Sequence, residues 1–256
     1  MLRKARQMHS QKVRSQVLPE VRAQVRSEVL MPPSPRGLPS AGGDPTAGLR
    51  LIEIYSNLAL RGEHLLGGLL GGQAPRQWMH YPEDDAIDQG NGFQWFYHSH
   101  SQEDRPGSTE HGHIHLFARR KLWARRLRSA RELKFAELSE GTQRRVNTRH
   151  LLTIGFDAKG LPSSLFTVNS WVTGDLMLSA RTTATLLEGM ALDTGNGLID
   201  GVIASVVQLC RQDIRSLLEH RDHTLFSRKA PGLLQDENLE LLSERAIDLD
   251  AKLASL

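Results

Sequence analysis

The sequence has little cysteine, few aromatic residues and no long apolar run. Its 256 residues include a single cysteine, Cys210, which excludes an internal disulfide and a metal site built from several thiolates. Such sparse cysteine is typical of proteins in a reducing compartment, so a cytoplasmic location is expected. The longest apolar stretch, residues 198–209, contains Asp200 and is shorter than the roughly 18 residues of a membrane span. No membrane-spanning segment is therefore expected.

An excess of positive charge over most of the chain is also missing. The formal net charge is +3, but residues 1–47 hold eight Lys or Arg against three acidic residues. Residues 48–256 therefore carry 24 basic and 26 acidic side chains. A domain that binds nucleic acid usually concentrates basic residues on its folded surface, so this distribution argues against a nucleic-acid partner. The composition, with 39% hydrophobic and 24% charged residues, is that of an ordinary globular protein.

The chain divides into a basic extension and a folded domain. Residues 1–47 are rich in Pro, Gly and Ser near their end, which is typical of a flexible linker. Residues 48–256 are expected to form a single α+β domain. Apolar residues recur at helical spacing in several segments of this domain. The predicted helices are 46–67, 119–134, 179–192, 198–223 and 238–255.

Two hairpins are predicted from alternating side chains and turn residues. The first pairs residues 92–100 with 110–117. The second pairs 151–156 with 164–173 through an Asp-Ala-Lys-Gly turn. The acidic residues 83–88 are expected to form a solvated loop. Strands followed by helices predict an α+β fold, in which an antiparallel sheet built from hairpins packs against C-terminal helices.

Histidine is unusually abundant in the chain. Five of its 11 histidines lie between positions 98 and 115 and alternate along the first hairpin. Side chains at every second position share one face of a strand. In a symmetric register His98 lies opposite His113 and His100 opposite His111, with Cβ atoms about 4.5–5.5 Å apart. Imidazoles at that separation can converge on one metal ion, so these four histidines are the predicted metal ligands.

The predicted cofactor is a transition metal, because imidazole nitrogens suit iron, copper and zinc. His115 is expected to be a further ligand or a catalytic residue beside the metal. Glu110 is a candidate catalytic base, although strand alternation directs it to the other face unless a bulge turns it. His80 and His150 are candidate additional ligands.

Three residues are candidate contacts for a small-molecule substrate. Asn169 and Trp171 alternate along the second hairpin, where polar and aromatic groups could line the same pocket. Tyr97 is the third, and it belongs to the aromatic strand that carries His98, on the face expected to pack into the core.

One short segment resembles a known catalytic motif. Residues 111–117 (HGHIHLF) are similar to the histidine-triad motif of nucleotide hydrolases and transferases, in which histidines alternate with apolar residues. The resemblance implies that His113, the middle histidine, attacks the α-phosphate of a nucleotide. Gly112 replaces an apolar residue of that motif, and about 140 residues follow it, whereas the motif of that family lies near the end of a small domain.

A longer resemblance links several segments in chain order. It is to an uncharacterised bacterial family of unknown function. The resemblance implies a single domain over roughly residues 50–250 with a basic insertion near 119–149, but no activity. Arg221 and Asp222 continue the pattern. The segments are His80–Asp84 (HYPED), Tyr97–His100 (YHSH), Glu110–His115 (EHGHIH) and Phe166–Asp175 (FTVNSWVTGD).

The preferred functional hypothesis is a metal-dependent enzyme. An iron or copper oxidoreductase is favoured over a zinc hydrolase by analogy with other histidine-rich antiparallel sheets. The alternative is a metal carrier, sensor or assembly partner without turnover. Its basic tail 1–47 and the helix 119–134 could then dock on nucleic acid or on an acidic protein partner. A metal-free acid/base or phosphate-binding site and a purely structural histidine cluster also remain open.

Overall fold

The computed structural model describes residues 44–99, 110–137, 147–228 and 230–256. Most of the predicted extension, residues 1–43, lies outside this part. The first described helix, α1, runs from Pro45 to Arg61. It begins where the Asp44 carboxylate accepts a hydrogen bond from the backbone N–H of Thr46, a donor that the helix itself leaves unpaired.

A seven-stranded sheet forms the centre of the described fold. Its spatial order is β1-β2-β3-β4-β5-β7, and neighbouring strands along this path are antiparallel. The short strand β6 lies off this path and pairs in parallel with β4. The strands are β1 Tyr81–Ile87, β2 Phe93–Ser99, β3 Gly112–Arg119, β4 Thr148–Phe156, β5 Pro162–Val168, β6 Leu176–Met177 and β7 Leu241–Ala246.

Helices precede, separate and follow the strands in the chain. None in the described part is long and apolar enough to cross a membrane. Two short 3-10 turns, Arg126–Arg128 and Leu233–Gln235, accompany them. The helices after α1 are α2 Gly67–Leu70, α3 Arg120–Trp123, α4 Ala130–Ala136, α5 Ser170–Thr173, α6 Ala180–Glu188, α7 Gly197–Leu209, α8 Arg211–Arg228 and α9 Leu249–Ala254. The predicted α+β class with an antiparallel sheet and C-terminal helices is thereby confirmed.

The two faces of the sheet carry different residues. On one face, Trp95, Ile114 and Ile154 belong to the main apolar core, which also contains buried residues of α1, α6, α7 and α8. The indole N–H of Trp95 donates a 2.8 Å hydrogen bond to Asp200 Oδ1, which links α7 to the sheet. The other face carries three histidines of the first hairpin, His98, His113 and His115. The core face therefore provides a packed support on which the histidine side chains are fixed.

The C-terminal helices differ from their predicted boundaries. The predicted helix 198–223 is divided into α7 and α8 at Cys210, whose φ of −97° and ψ of 18° leave the helical range. The predicted helix 238–255 is wrong over most of its length, because β7 pairs with β5 there. Only α9 remains helical, and it begins where the Asp248 carboxylate accepts the N–H of Ala251.

Two earlier segments also depart from the sequence predictions. Residues 119–134 do not form one helix, because Ser129 is extended at ψ 145° and caps a new helix, α4, through the N–H of Glu132. Residues 83–87 belong to strand β1 rather than to a solvated loop. The pairing of Ala86 with Trp95 on the following strand, β2, explains this difference, because cross-strand pairing outweighs the low strand propensity of the acidic residues.

Candidate metal centre

The histidine face of the sheet is formed by β2 and β3. The two strands pair with His98 opposite His113, the register that symmetry predicts, and with Phe96 opposite His115. His113 and His115 are two residues apart, so both occupy the face on which His98 lies. The hairpin thus brings three histidines together, and we call His98, His113 and His115 the histidine cluster.

Ring nitrogens of the histidine cluster approach one another closely. His98 Nε2 is 2.6 Å from His113 Nε2, which in turn is 3.0 Å from His115 Nε2. One nitrogen from each ring lies within 4.8 Å of the other two, a spacing that could hold a metal ion. The exposed fractions of the three residues are 8%, 4% and 1%, in chain order. The cluster is therefore a buried set of nitrogen atoms that could hold a metal ion.

Glu110 contacts the opposite edge of the His113 ring. Its Oε1 lies 2.5 Å from His113 Nδ1, and both side chains are almost fully buried. Its Oε2 accepts a 3.3 Å hydrogen bond from the hydroxyl of Ser164 on β5. The expectation that Glu110 points to the other face is wrong, because β3 begins at Gly112 and strand alternation does not apply to the residues before it.

Gly155 leaves the space that the Glu110 carboxylate occupies. Gly155 lies on β4 directly opposite His113. A Cβ atom at this position would lie 2.6 Å from Glu110 Oε2 and 2.2 Å from Ser164 Oγ. Both distances are far inside ordinary van der Waals contact. A side chain at position 155 would therefore displace the groups that hold His113.

His115 is held through its Nδ1 atom by two residues of β4. Thr153 Oγ1 lies 3.1 Å from His115 Nδ1, and His150 Nε2 lies at the same distance. His150 Nε2 is also 3.1 Å from Thr153 Oγ1, so the three atoms form a triangle. Burial, together with the positive charge of Arg221, lowers the pKa of His150 to about 3. The His150 ring is therefore neutral at physiological pH.

Aromatic rings surround the histidine cluster. The Phe166 ring lies 5.0 Å from the His113 ring and the Phe96 ring 5.2 Å from the His115 ring, both measured between centroids. Trp78 meets His98 edge-on at 6.2 Å. Such an apolar surrounding limits access of water and lowers the local dielectric, which strengthens electrostatic interactions among the histidines and Glu110.

His80 lies at the rim of the histidine cluster. Its ring stacks on Phe96, with centroids 3.7 Å apart, and its Nδ1 lies 2.9 Å from Asp85 Oδ1. The other carboxylate oxygen of Asp85 accepts a 2.7 Å hydrogen bond from the Gln94 amide. These contacts place His80 beside His98, at 6.3 Å between ring centroids, and not in the set of converging nitrogens.

Two other predicted residues of the first hairpin, His111 and Tyr97, do not join the cluster. His100 lies outside the described residues. His111 is exposed, and its Nδ1 lies 3.2 Å from the Tyr97 hydroxyl. Tyr97 is fully buried on the core face, where burial and the nearby charge of Glu110 raise its pKa. The structure therefore places His111 and Tyr97 on the side of the sheet opposite the histidine cluster.

Asn169 and Trp171, predicted to contact substrate, make hydrogen bonds to backbone carbonyls. The Asn169 amide donates to the carbonyl of Leu233 at 2.8 Å, and the Trp171 indole donates to that of Leu239 at 3.1 Å. Asn169 also caps α5 through the N–H of Ser170. Within the described residues these contacts link the end of β5 to the segment after α8, and they do not bring either side chain to the histidine cluster.

Sequence reasoning overlooked the residues that β4 and β5 contribute, namely Thr153, Gly155 and Ser164. Thr153 and Gly155 alternate in an otherwise apolar strand, LLTIGF. Small or polar residues at every second position of a buried strand indicate that one of its faces meets polar groups. That alternation was the signal that could have linked β4 to the histidine face.

Comparison with known proteins gives a family and no activity. Residues 46–247 match the sequence model of a family described as a domain of unknown function, DUF6969. No curated protein and no solved structure matches the chain. The matched range contains every residue of the histidine cluster together with Glu110, His150 and Thr153.

Proposed function

We propose that this chain, which belongs to the DUF6969 family of domains of unknown function, is a metal-dependent enzyme whose ion is held by His98, His113 and His115. The family provides no activity, so the proposal depends on the chemistry of the cluster alone. The supporting structural fact is that these three buried histidines could hold a metal ion.

The contact between Glu110 and His113 is the single observation that carries the proposal. A carboxylate can only accept hydrogen bonds, so the 2.5 Å contact requires His113 Nδ1 to donate the proton. A neutral His113 then presents its Nε2 lone pair to the nitrogens of His98 and His115. Histidines that bind metals commonly donate their second ring N–H to a carboxylate in this way. Glu110 therefore favours the tautomer of His113 that a metal ligand needs.

The dimensions of the cluster fit a single ion after a small expansion. Metal–nitrogen bonds of about 2.0–2.1 Å at a tetrahedral angle separate two ligand nitrogens by about 3.3–3.4 Å. The observed separations of 2.6 Å and 3.0 Å are shorter by about 0.3–0.8 Å. Rotation of imidazole rings by small angles supplies such a change. Lone pairs that would otherwise repel one another then point to a common centre.

Within the described residues the candidate ligand set has three members, which favours a catalytic role over a purely structural one. Structural zinc sites are closed by four protein ligands, whereas catalytic sites often have three and one position for water or substrate. The aromatic surrounding and the Glu110 hydrogen bond are also the features that adjust the redox potential of a bound metal. We therefore favour an iron or copper oxidoreductase acting on a small molecule, with a zinc hydrolase as the alternative. When bound, such an ion supplies electron transfer or Lewis-acid activation.

Cobalt(II) titration of the purified full-length chain tests the proposed ligands. Cobalt substitutes for several of these metals, and its visible absorption reports nitrogen coordination. We expect one site per chain in the native sequence, lost in His98→Ala and in His113→Ala. His111→Ala is the matched control, because this exposed histidine belongs to the same hairpin but lies on the opposite side of the sheet. It should bind cobalt as the native chain does.

Thermal unfolding of each variant without metal separates loss of a ligand from loss of the fold. A folded His113→Ala variant that binds cobalt as tightly as the native chain would contradict the proposed ligand set. Addition of a small anion such as azide to the cobalt-loaded protein distinguishes the enzyme hypothesis from the carrier hypothesis. A shift of the absorption band indicates an exchangeable coordination position, and an unchanged band under saturating azide argues for the carrier.

A further inference from the structure

The pairing of β3 with β4 is irregular beside the histidine cluster. Leu116 pairs with Leu152, but the next residue, Phe117, pairs with His150, so Leu151 is an extra residue in β4. Leu151 and Leu152 both belong to the apolar core on the helix side of the sheet. This arrangement is a β-bulge, which places two consecutive side chains of one strand on the same face.

The bulge decides on which face His150 lies. Thr153 pairs with His115 and shares its face of the sheet. In a regular strand, a residue three positions away from Thr153 would point to the opposite face. The extra residue Leu151 reverses that alternation, so His150 emerges beside His115, with ring centroids 5.2 Å apart. Bulges often redirect a side chain in this way next to functional sites.

We propose that Thr153 and His150 are positioning residues of the metal centre. Both accept a hydrogen bond from the Nδ1–H group of His115, and they hold its ring so that Nε2 faces His98 and His113. This inference rests on the proposed function. Its geometric basis is the triangle of 3.1 Å contacts among His115 Nδ1, Thr153 Oγ1 and His150 Nε2.

The atoms around His150 support a role in orientation. His150 Nε2 makes both contacts of the triangle, whereas its Nδ1 is buried without a hydrogen-bond partner in the described residues. The ring also packs against Phe117, at 5.3 Å between centroids. Hydrogen bonding through one nitrogen and packing through one face fix the ring in a single orientation. The Nε2 atom that meets His115 is thereby fixed as well.

His113 and His115 then have equivalent supports from different segments of the chain. Glu110 accepts a hydrogen bond from the Nδ1–H group of His113. Thr153 and His150 accept a hydrogen bond from the Nδ1–H group of His115. Both rings are left with Nε2 as the unprotonated atom, and their Nε2 atoms are the pair that lie 3.0 Å apart. Removal of such supporting hydrogen bonds lowers metal affinity by about 10- to 100-fold in other metal sites.

Paired substitutions separate hydrogen bonding from packing. Thr153→Val keeps the shape of the side chain and removes the hydroxyl, whereas Thr153→Ser keeps the hydroxyl and removes the methyl group. His150→Phe keeps the aromatic packing, whereas His150→Gln keeps a polar group that can reach His115. We expect Thr153→Val and His150→Phe to weaken cobalt(II) binding by about 10-fold or more, and Thr153→Ser and His150→Gln to stay within about 3-fold of the native chain.

Nitrogen-15 NMR of the zinc-loaded protein supplies a second measurement that packing alone does not affect. Two-bond proton–nitrogen correlations should show His115 protonated at Nδ1 in the native chain. Equal cobalt affinity of the native chain and of folded Thr153→Val and His150→Phe variants would overturn the inference, as would a His115 protonated at Nε2. Absence of cobalt binding in the native chain would instead overturn the proposed function, so the two failures are distinguishable.

Discussion

Gly155→Ala should damage the metal centre without changing any of its polar groups. Gly155 lies opposite His113, and an added methyl group would lie 2.2 Å from Ser164 Oγ and 2.6 Å from Glu110 Oε2. Ordinary contact begins near 3.4 Å, so the Glu110 oxygen must retreat by about 0.8 Å if the backbone stays in place. A retreat of that size weakens a hydrogen bond to His113 that now measures 2.5 Å.

The expected magnitudes follow from two opposing effects on stability and one on binding. Replacing glycine by alanine stabilises a chain by about 0.4–1 kcal/mol where the residue fits. Overpacking of a buried site costs about 1–3 kcal/mol, so the net change for Gly155→Ala is destabilising. Loss of the Glu110 hydrogen bond should also lower cobalt affinity by about 10- to 100-fold, which corresponds to about 1.4–2.7 kcal/mol of binding free energy.

Urea unfolding and cobalt titration measure the two effects of Gly155→Ala separately. Gly68→Ala is the matched control, because a Cβ atom at Gly68 would have no neighbour within 4 Å. Glu110→Gln gives the binding loss expected when the carboxylate is removed without a change in size. A Gly155→Ala variant with native stability and native cobalt affinity would refute the argument that this glycine makes room for Glu110.

Two further predictions concern buried groups outside the metal centre. Burial raises the pKa of the Cys210 thiol to about 12. A thiol reagent at pH 8 should therefore label Cys210 only after unfolding, which mass spectrometry measures. Rapid labelling of the folded chain would contradict this prediction. Burial raises the pKa of Asp88, but hydrogen bonds from Asn91 and Asp193 lower it more, so its folded pKa lies below the unfolded value near 3.8. The contribution of Asp88 to the free energy of unfolding is therefore complete above the unfolded pKa and is lost as the pH falls through the folded pKa. Between pH 5 and pH 3 the native chain should lose more unfolding free energy in urea than Asp88→Asn, and equal losses would show that Asp88 contributes nothing.

The histidine face could be predicted because it depends on local information. Alternation of histidines in two adjacent strands, together with a symmetric hairpin, is sufficient to place His98 opposite His113. The supports of the site could not be predicted in the same way. Glu110 reaches His113 because β3 begins after it, and His150 reaches His115 because of the bulge at Leu151. Both are irregularities that the regular period of a strand does not contain.

The errors at the C-terminus have a related cause. The apolar residues within 238–255 satisfy a helical spacing, but residues 241–246 pair with β5, a strand about 80 positions earlier in the chain. Contacts between distant segments override local propensity, and a single sequence does not reveal them. The prediction for residues 83–87 failed for a different reason, because their acidic side chains indicate a solvated loop although Ala86 and Ile87 pair with the following strand, β2. Helix α1 was predictable, since the spacing of its apolar residues is local information.

The central claim is that His98, His113 and His115 hold one metal ion, and elemental analysis of untagged, purified protein tests it most directly. After incubation with iron, copper or zinc in turn and removal of free metal, we expect about one equivalent of a single preferred metal per chain. His111→Ala should retain this equivalent, and His98→Ala combined with His113→Ala should lose it while remaining folded. Retention of the metal by the folded double variant, or its absence from the native chain under all three conditions, would contradict the account.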